Sequence, residues 1–170
     1  PPASPTPRTS GASRSSPATI WSRAIPRAAE GGLALAHAAA DLVGTPFRLQ
    51  GRDPSTGLDC IGLVLASLAQ IGVRMELPAD YRPRRRSFAI PSRALREAGL
   101  VNAGIPHRSG DILLLRTAPA QVHTAIAVDR GEIVHAHAGL RRVVRCALPA
   151  RWPVLDAWRL NSDGDIAWQR

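Results

Sequence analysis

Cys60 stands where a reactive thiol would be placed. It follows a turn at residues 57–59 and opens an apolar run at helical spacing that ends near Gly72. A thiol in the first turn of a buried helix meets unpaired backbone N–H groups and the positive end of the helix dipole. Such a site lowers the pKa of a thiol from about 8.5 to ~3.5–7.5. The sequence therefore predicts a nucleophile at Cys60, and the alternative is a free cysteine that only packs in the core.

Three histidines further along the chain are candidate bases for this thiol. His123 lies on the first strand of a predicted hairpin, and His135 and His137 share one face of the second strand. A cysteine nucleophile needs a base that takes its proton and a third group that orients the base. A tight turn at residues 129–131 brings the two strands side by side. Two imidazoles can therefore approach each other and the start of the Cys60 helix, although any one histidine alone is better explained as an ordinary strand residue.

The elements that would position these side chains change from helices to strands along the chain. Helices are predicted at 28–43, from 60 to 71 and at 91–98. Strands are predicted at 111–116, 122–128, 132–138, 143–148 and 154–160. Helices followed by strands favour an α+β fold, with N-terminal helices packed on an antiparallel sheet.

Composition limits the classes of partner. All 22 basic residues are Arg, and with 13 acidic residues they give a net charge of +9, which favours polymers or substrates rich in carboxylates. Nucleic acid is an unlikely partner, because 4% aromatic residues provide no platform for stacking bases. No apolar stretch reaches 18 residues, so no membrane span is expected. Two cysteines do not make a disulfide framework.

The domain prediction follows the same composition. Residues 1–27 are rich in Pro, Ser and Arg and are expected to form a disordered tail. A single domain is expected at 28–162, with a C-terminal tail at 163–170. The first 30 residues show no apolar core of a signal peptide, which predicts synthesis in the cytoplasm.

Short motifs in a fixed order carry a resemblance over roughly residues 40 to 160. They are Gly44-Thr45-Pro46-Phe47, Asp59-Cys60-Ile61-Gly62-Leu63-Val64, Gly110-Asp111 and the stretch from His123 to Ala136 that ends in Ile133-Val134-His135-Ala136. In this order and spacing they resemble the NlpC family of papain-like cysteine peptidases, which act on bacterial cell walls. The resemblance implies a papain-like fold with the nucleophile at the start of a buried helix.

The resemblance also implies the roles of individual residues. Cys60 would be the nucleophile, His123 the base and His135 the orienting third residue of a Cys-His-His triad. The substrate would be a peptidoglycan stem peptide or muropeptide, cleaved typically at the γ-D-glutamyl to diaminopimelate bond. No metal or organic cofactor is implied.

Four residues are candidates for the oxyanion or substrate side of the site. These are Cys60, through its backbone N–H, and Phe47, Gln50 and Asp59. Phe47 stands where relatives have a Tyr whose hydroxyl lies near the active site, so a possible oxyanion donor is missing. Gln50 lies three residues further on and would supply an amide N–H instead.

The choice between His135 and His137 as the third residue depends on the hairpin register. A three-residue loop at 129–131 would by simple register place His137 opposite His123. The resemblance favours His135, and this assignment then requires a bulge or a skewed turn. We predict His135.

Two alternatives have different functional consequences. The motif forms at Cys60 and after His135 look closer to the phage-tail and gene-transfer-agent branch of the family than to its secreted housekeeping enzymes. The chain would then be either an enzyme of that branch, acting at a cell wall or in a tail-like particle, or a non-catalytic tail-assembly protein with the same fold. The second alternative is a metal-binding module that uses His135 and His137, with Cys146 nearby in sequence.

Overall fold

The computed structural model describes residues 28–77 and 90–161, which form three α-helices, a short 3-10 helix at Asp129–Gly131, a small hairpin and an antiparallel sheet. The helices are α1 (Ala28–Asp41), α2 (Cys60–Gln70) and α3 (Ser92–Glu97). This architecture confirms the predicted α+β class with helices packed on an antiparallel sheet. The tails predicted at 1–27 and 163–170 lie outside the described residues, and the domain limits stay a prediction.

The strands form two separate sheets. The small hairpin pairs β1 (Arg52–Asp53) with β2 (Gly57–Leu58) directly before α2. The large sheet contains β3 (Leu100–Asn102), β4 (Ile112–Ala118), β5 (Gln121–Ala127), β6 (Glu132–His137), β7 (Arg142–Ala147) and β8 (Val154–Leu160). Its order is β3-β8-β4-β5-β6-β7, and all neighbours are antiparallel. The chemistry-bearing hairpin β5–β6 therefore lies inside the sheet.

Helix α2 begins at Cys60 because Asp59 caps it. The extended backbone of Asp59 turns its carboxylate back to accept the Gly62 N–H at 2.8 Å. Gly62 has no room for a side chain, since a Cβ there would collide with the carbonyl oxygen of Gly51. The start of α2 is thus pressed against the β1–β2 hairpin, and this contact fixes the position of the Cys60 backbone.

Two apolar clusters lie on the two faces of the large sheet. The first joins α1 and α2 to the sheet through residues such as Leu35, Leu63, Leu68, Ile126 and Val134. The second lies on the other face and contains Leu113, Leu115, Ala125, Ile133 and Ala157, with Trp152 packed against it. Alternation along β5 therefore directs Ile126 toward the helices and Ala125 away from them.

The structure adds elements that the sequence patterns did not predict. The β1–β2 hairpin and β3 have two or three residues per strand, which is too short for a hydrophobic period to be visible. No helix among residues 28–77 and 90–161 is long and apolar enough to cross a membrane.

Candidate active site

Cys60 is the first residue of α2 and is tied to strand β5. The hydroxyl of Thr124 donates a hydrogen bond of 2.8 Å to the carbonyl oxygen of Cys60. Thr124 is 2% exposed and directly follows His123, so this bond holds the start of the helix beside the candidate base. The predicted position of the nucleophile at a helix start is therefore present in the fold.

The candidate base and the candidate third residue form a hydrogen-bonded pair. His123 Nε2 lies 3.0 Å from His135 Nδ1, and the two rings meet edge to face with centroids 5.1 Å apart. Because Nε2 of His123 is engaged in this contact, Nδ1 on the other side of the ring is left for a proton from a thiol. The pair has the geometry of a base held by an orienting group.

The β5–β6 pairs contain no bulge that would explain why His123 contacts His135. Those pairs join residue 126 to 134 and 127 to 133, a register that extended would place His137 opposite His123, as the loop length predicted. The described ladder ends there, and His123 instead meets its diagonal neighbour His135. His137 accepts a hydrogen bond of 3.1 Å from the backbone N–H of Leu140. The bulge or skewed turn expected from the sequence is thus replaced by a diagonal contact.

His123 and Thr124 are adjacent on β5, so their side chains leave the strand on opposite faces. Thr124 points toward α2, whereas alternation places His123 with Ala125 on the face of the second cluster. Trp152 packs there, with its ring centroid 6.3 Å from that of His123 and 5.5 Å from that of His135. Within the described residues no hydrogen bond joins the Cys60 thiol to His123. Thr124, which directly follows His123 in the chain, links the two residues through its hydrogen bond to the Cys60 carbonyl. His123 lies on the part of β5 that is not paired with β6.

The electrostatics of Cys60 differ from the expectation of a lowered pKa. Burial of the thiol is the largest effect and raises its pKa, and the nearby carboxylate of Asp59 adds to the rise. Hydrogen bonds from Thr124 and the backbone N–H of Ile61 act in the opposite direction and are outweighed. Cys60 is therefore a neutral thiol at neutral pH.

Both paired histidines are also neutral in the resting site. Burial lowers the pKa of His123 to about 3, and the neighbouring His135 and His137 contribute further. Burial likewise lowers the pKa of His135 to about 4, with a contribution from His137. An uncharged imidazole at His123 is in the form that accepts a proton.

Asp59 and Gln50 support the helix start from the inside. The carboxylate of Asp59 is 2% exposed and accepts the backbone N–H of Gln50 at 2.8 Å as well as that of Gly62. Arg52 adds a hydrogen-bonded ion pair at 2.8 Å, and Gln50 reaches its place with a φ of 58°. The carboxylate is a cap and ion-pair partner that faces the chain, so it is not presented to a substrate. The backbone N–H of Gln50 donates to Asp59 and is therefore not an oxyanion donor.

Phe47 lies on the segment that precedes the hairpin. Its backbone N–H donates to the carbonyl of Arg141 at 2.9 Å, and it forms an isolated bridge with Leu58, two residues before Cys60. Its half-buried ring packs against the first cluster. The sequence motif around Phe47 thus joins β7 to the start of α2.

Two contacts of the site were missed by the sequence patterns. Thr124 holds the Cys60 carbonyl, and Trp152 packs on the rings of both His123 and His135. Cys146, which the metal-binding alternative placed near His135 in sequence, lies with its Sγ 3.6 Å from His135 Nε2. In the part of the chain that the structure describes, no three His, Cys, Asp or Glu side chains are grouped to hold a metal ion, and both cysteines are free.

Comparison with known proteins identifies one family. The model described as the NlpC/P60 family matches residues 44–151, a segment that contains Cys60, His123 and His135. A search of curated proteins finds no match. This match covers more than half of the chain.

Solved structures agree with this fold. The NlpC/p60 domain of the peptidoglycan hydrolase SagA is 23% identical, with a TM-score of 0.52, over 76% of this chain and 97% of that domain. NlpC1 from Trichomonas vaginalis is 22% identical, with a TM-score of 0.56, over 75% of this chain and 44% of that protein. The peptidoglycan hydrolase RipB from Mycobacterium tuberculosis is 19% identical, with a TM-score of 0.54, over 82% of this chain and 69% of RipB. The chain thus spans nearly all of the SagA domain but less than half of the Trichomonas protein.

Proposed function

The chain belongs to the NlpC/P60 family, and on this premise we propose that it is a cysteine peptidase that cleaves amide bonds in peptidoglycan stem peptides. The observation that carries the proposal is the His123–His135 pair at 3.0 Å, linked through Thr124 to a cysteine at a helix start. SagA and RipB, which share the fold, are both described as peptidoglycan hydrolases. Family and geometry support the same class of reaction.

Acylation begins with two neutral groups. His123 Nδ1 takes the Cys60 proton as the sulfur attacks the amide carbonyl, so a carbon–sulfur bond forms and the carbonyl oxygen becomes negative. The imidazolium then gives this proton to the amide nitrogen, the carbon–nitrogen bond breaks, and the amine leaves. Because the resting Cys60 and His123 are both neutral, His123 acts as a general base during the attack. Burial raises the pKa of Cys60 and lowers that of His123, so the proton transfer starts from two neutral groups.

Deacylation returns the site to its starting state. A water gives a proton to His123 Nδ1 and attacks the thioester, the carbon–sulfur bond breaks, and the thiol regains its proton. Throughout both steps His123 Nε2 keeps its proton and donates a hydrogen bond to His135 Nδ1, and this bond stabilises the imidazolium that forms. His135 therefore orients the base and does not itself react.

The backbone N–H of Cys60 supports the developing oxyanion. It belongs to the first turn of α2, where N–H groups have no partner within the helix. Loss of one well-aimed oxyanion donor costs about 10²- to 10³-fold in kcat. With Phe47 in place of a hydroxyl-bearing residue, the side-chain amide of Gln50 is the second candidate donor.

The substrate proposal combines charge and resemblance. A net charge of +9 favours a wall polymer that carries many carboxylates. Within such a polymer we assign the γ-D-glutamyl to diaminopimelate amide as the bond that is cleaved. Partners from a phage-tail-like particle and a non-catalytic assembly role remain sequence predictions that no structural observation favours.

The test uses defined muropeptides and mass spectrometry of the products. We expect the wild-type chain to release a peptide with a new free amine on diaminopimelate, and Cys60→Ala to lose about 10⁴-fold or more in rate. Cys146→Ala is the comparison variant, because it removes the other free cysteine and should lose no more than about tenfold in rate. Absence of cleavage by the wild type on all stem peptides, or wild-type rates in Cys60→Ala, would refute the proposal.

A further inference from the structure

We infer that Cys146 is a positioning residue of this reaction, because its sulfur accepts the hydrogen bond that fixes the proton of His135 on Nε2. The inference rests on the proposed function. It adds a fourth member to the row formed by Cys60, His123 and His135. Substituting Cys146 on β7 should therefore change the rate of the reaction at the Cys60 thiol on α2.

The sheet places Cys146 beside His135. Residue 146 is paired with Ile133, and His135 is paired with Val144, so Cys146 is the diagonal neighbour of His135 on the same face. Its Sγ lies 3.6 Å from His135 Nε2, within hydrogen-bonding distance for sulfur. The other ring nitrogen of His135 faces His123 at 3.0 Å. Both nitrogens of His135 thus have a partner, one on each side of the ring.

The chemistry of the reaction determines the direction of every hydrogen bond in this row. Nδ1 of His123 must be free of hydrogen to take a proton from Cys60, so the proton of neutral His123 is on Nε2. That N–H donates to His135 Nδ1, which must therefore also lack hydrogen. The proton of neutral His135 is then on Nε2, and it points at Cys146. The productive state needs an acceptor at that position.

Burial makes this acceptor necessary. His135 is 2% exposed, so water gives little help to its Nε2–H. Among the described residues only Cys146 is recorded within hydrogen-bonding distance of that nitrogen. Burial and the carboxylate of Glu132 raise the pKa of Cys146, which keeps its sulfur a neutral acceptor rather than a thiolate. Without this sulfur the reverse arrangement, with the proton of His135 on Nδ1, becomes more favourable and blocks the base.

The experiment compares Cys146→Val with Cys146→Ser on one muropeptide. Valine is close in size and accepts no hydrogen bond, and serine restores an acceptor. One neutral hydrogen bond corresponds to about a 3- to 10-fold change, so Cys146→Val should lower kcat by that factor with KM unchanged. Cys146→Ser should stay within about twofold of the wild type by the same reasoning. Leu148→Ala is the control, because Leu148, like Cys146, packs against the second apolar cluster but makes no hydrogen bond to His135. This variant should keep the wild-type kcat.

The proton position is measured separately by nitrogen NMR of histidine-labelled protein. We expect His135 of the wild type to carry its proton on Nε2, and Cys146→Val to shift the population toward Nδ1. A proton on Nδ1 of His135 in the wild type would overturn the inference, as would an unchanged or increased kcat in Cys146→Val or equal losses in Val and Ser variants. If the wild type cleaves no muropeptide, the proposed function fails, and the NMR comparison still decides whether Cys146 fixes the proton of His135.

Discussion

The substitution Asp59→Ala tests how the start of α2 is held. It removes the helix cap at Gly62, which is worth about 0.5–2 kcal/mol, and leaves the Gln50 N–H without its charged acceptor, which costs roughly 1 kcal/mol. It also breaks the ion pair with Arg52, whose side chain is 28% exposed and returns to water at a cost of roughly 0.5 kcal/mol. We expect a total loss of about 2–4 kcal/mol in the free energy of unfolding.

Urea unfolding followed by circular dichroism measures this loss. With a slope near 2 kcal/mol per molar, the midpoint should fall by about 1–2 M. Asp59→Asn keeps an oxygen that caps the helix and should lose about half as much. Asp53→Ala is the matched control, because Asp53 is exposed and its carboxylate accepts hydrogen bonds from Ser55 within the same turn. Equal free energies of unfolding for Asp59→Ala and Asp53→Ala would show that the Asp59 carboxylate does not hold the start of α2.

The remaining predictions concern the thiol, its hydrogen bond and the histidines. Thr124→Val removes the donor to the Cys60 carbonyl and should lower kcat about 3- to 10-fold with KM unchanged, whereas Thr124→Ser should restore it; steady-state kinetics on one muropeptide decides this. Because burial raises the pKa of Cys60, iodoacetamide should alkylate it slowly at neutral pH and faster as pH rises above about 9; a rate that is already maximal below pH 7 would contradict this. Burial lowers the pKa of His123 to about 3 and of His135 to about 4, so between these values and 6.5 the unfolded chain binds more protons. The two histidines do not reduce the free energy of unfolding above about pH 6.5. Below that pH the free energy of unfolding falls by up to about 1.4 kcal/mol per pH unit for each proton taken up on unfolding, and urea midpoints measured across this range check the fall. His135→Ala should cut turnover at least 100-fold while His137→Ala retains most activity, since only His135 contacts His123, and the reverse ranking would transfer the orienting role to His137.

Periodicity predicted the elements that carry the site. The apolar spacing after Cys60 corresponds to α2, and the alternating stretches around residues 129–131 correspond to β5 and β6. Both signals are local, because each depends on neighbours within a few residues. The family motifs then related these elements to one another, and the match over residues 44–151 agrees with them.

Long-range contacts could not be predicted in the same way. The pairing of Thr124 with Cys60 spans 64 residues, and nothing in either segment indicates the other. The diagonal contact of His123 with His135 depends on where the strands stop pairing, which the loop length does not fix. The raised pKa of Cys60 shows that burial outweighs the favourable helix start, and the extent of burial follows only from the packed fold.

Attack of Cys60 on the substrate amide leaves a covalent acyl-enzyme, and acid-quenched reactions analysed by mass spectrometry detect this species. Mixing the protein with excess muropeptide should give a transient mass increase equal to the acyl part of the substrate, and digestion should place it on the peptide that contains Cys60. The same adduct should be absent from Cys60→Ala, which should also release no product. An adduct on Cys146 or any other residue, or product formation by Cys60→Ala at the wild-type rate, would contradict the account.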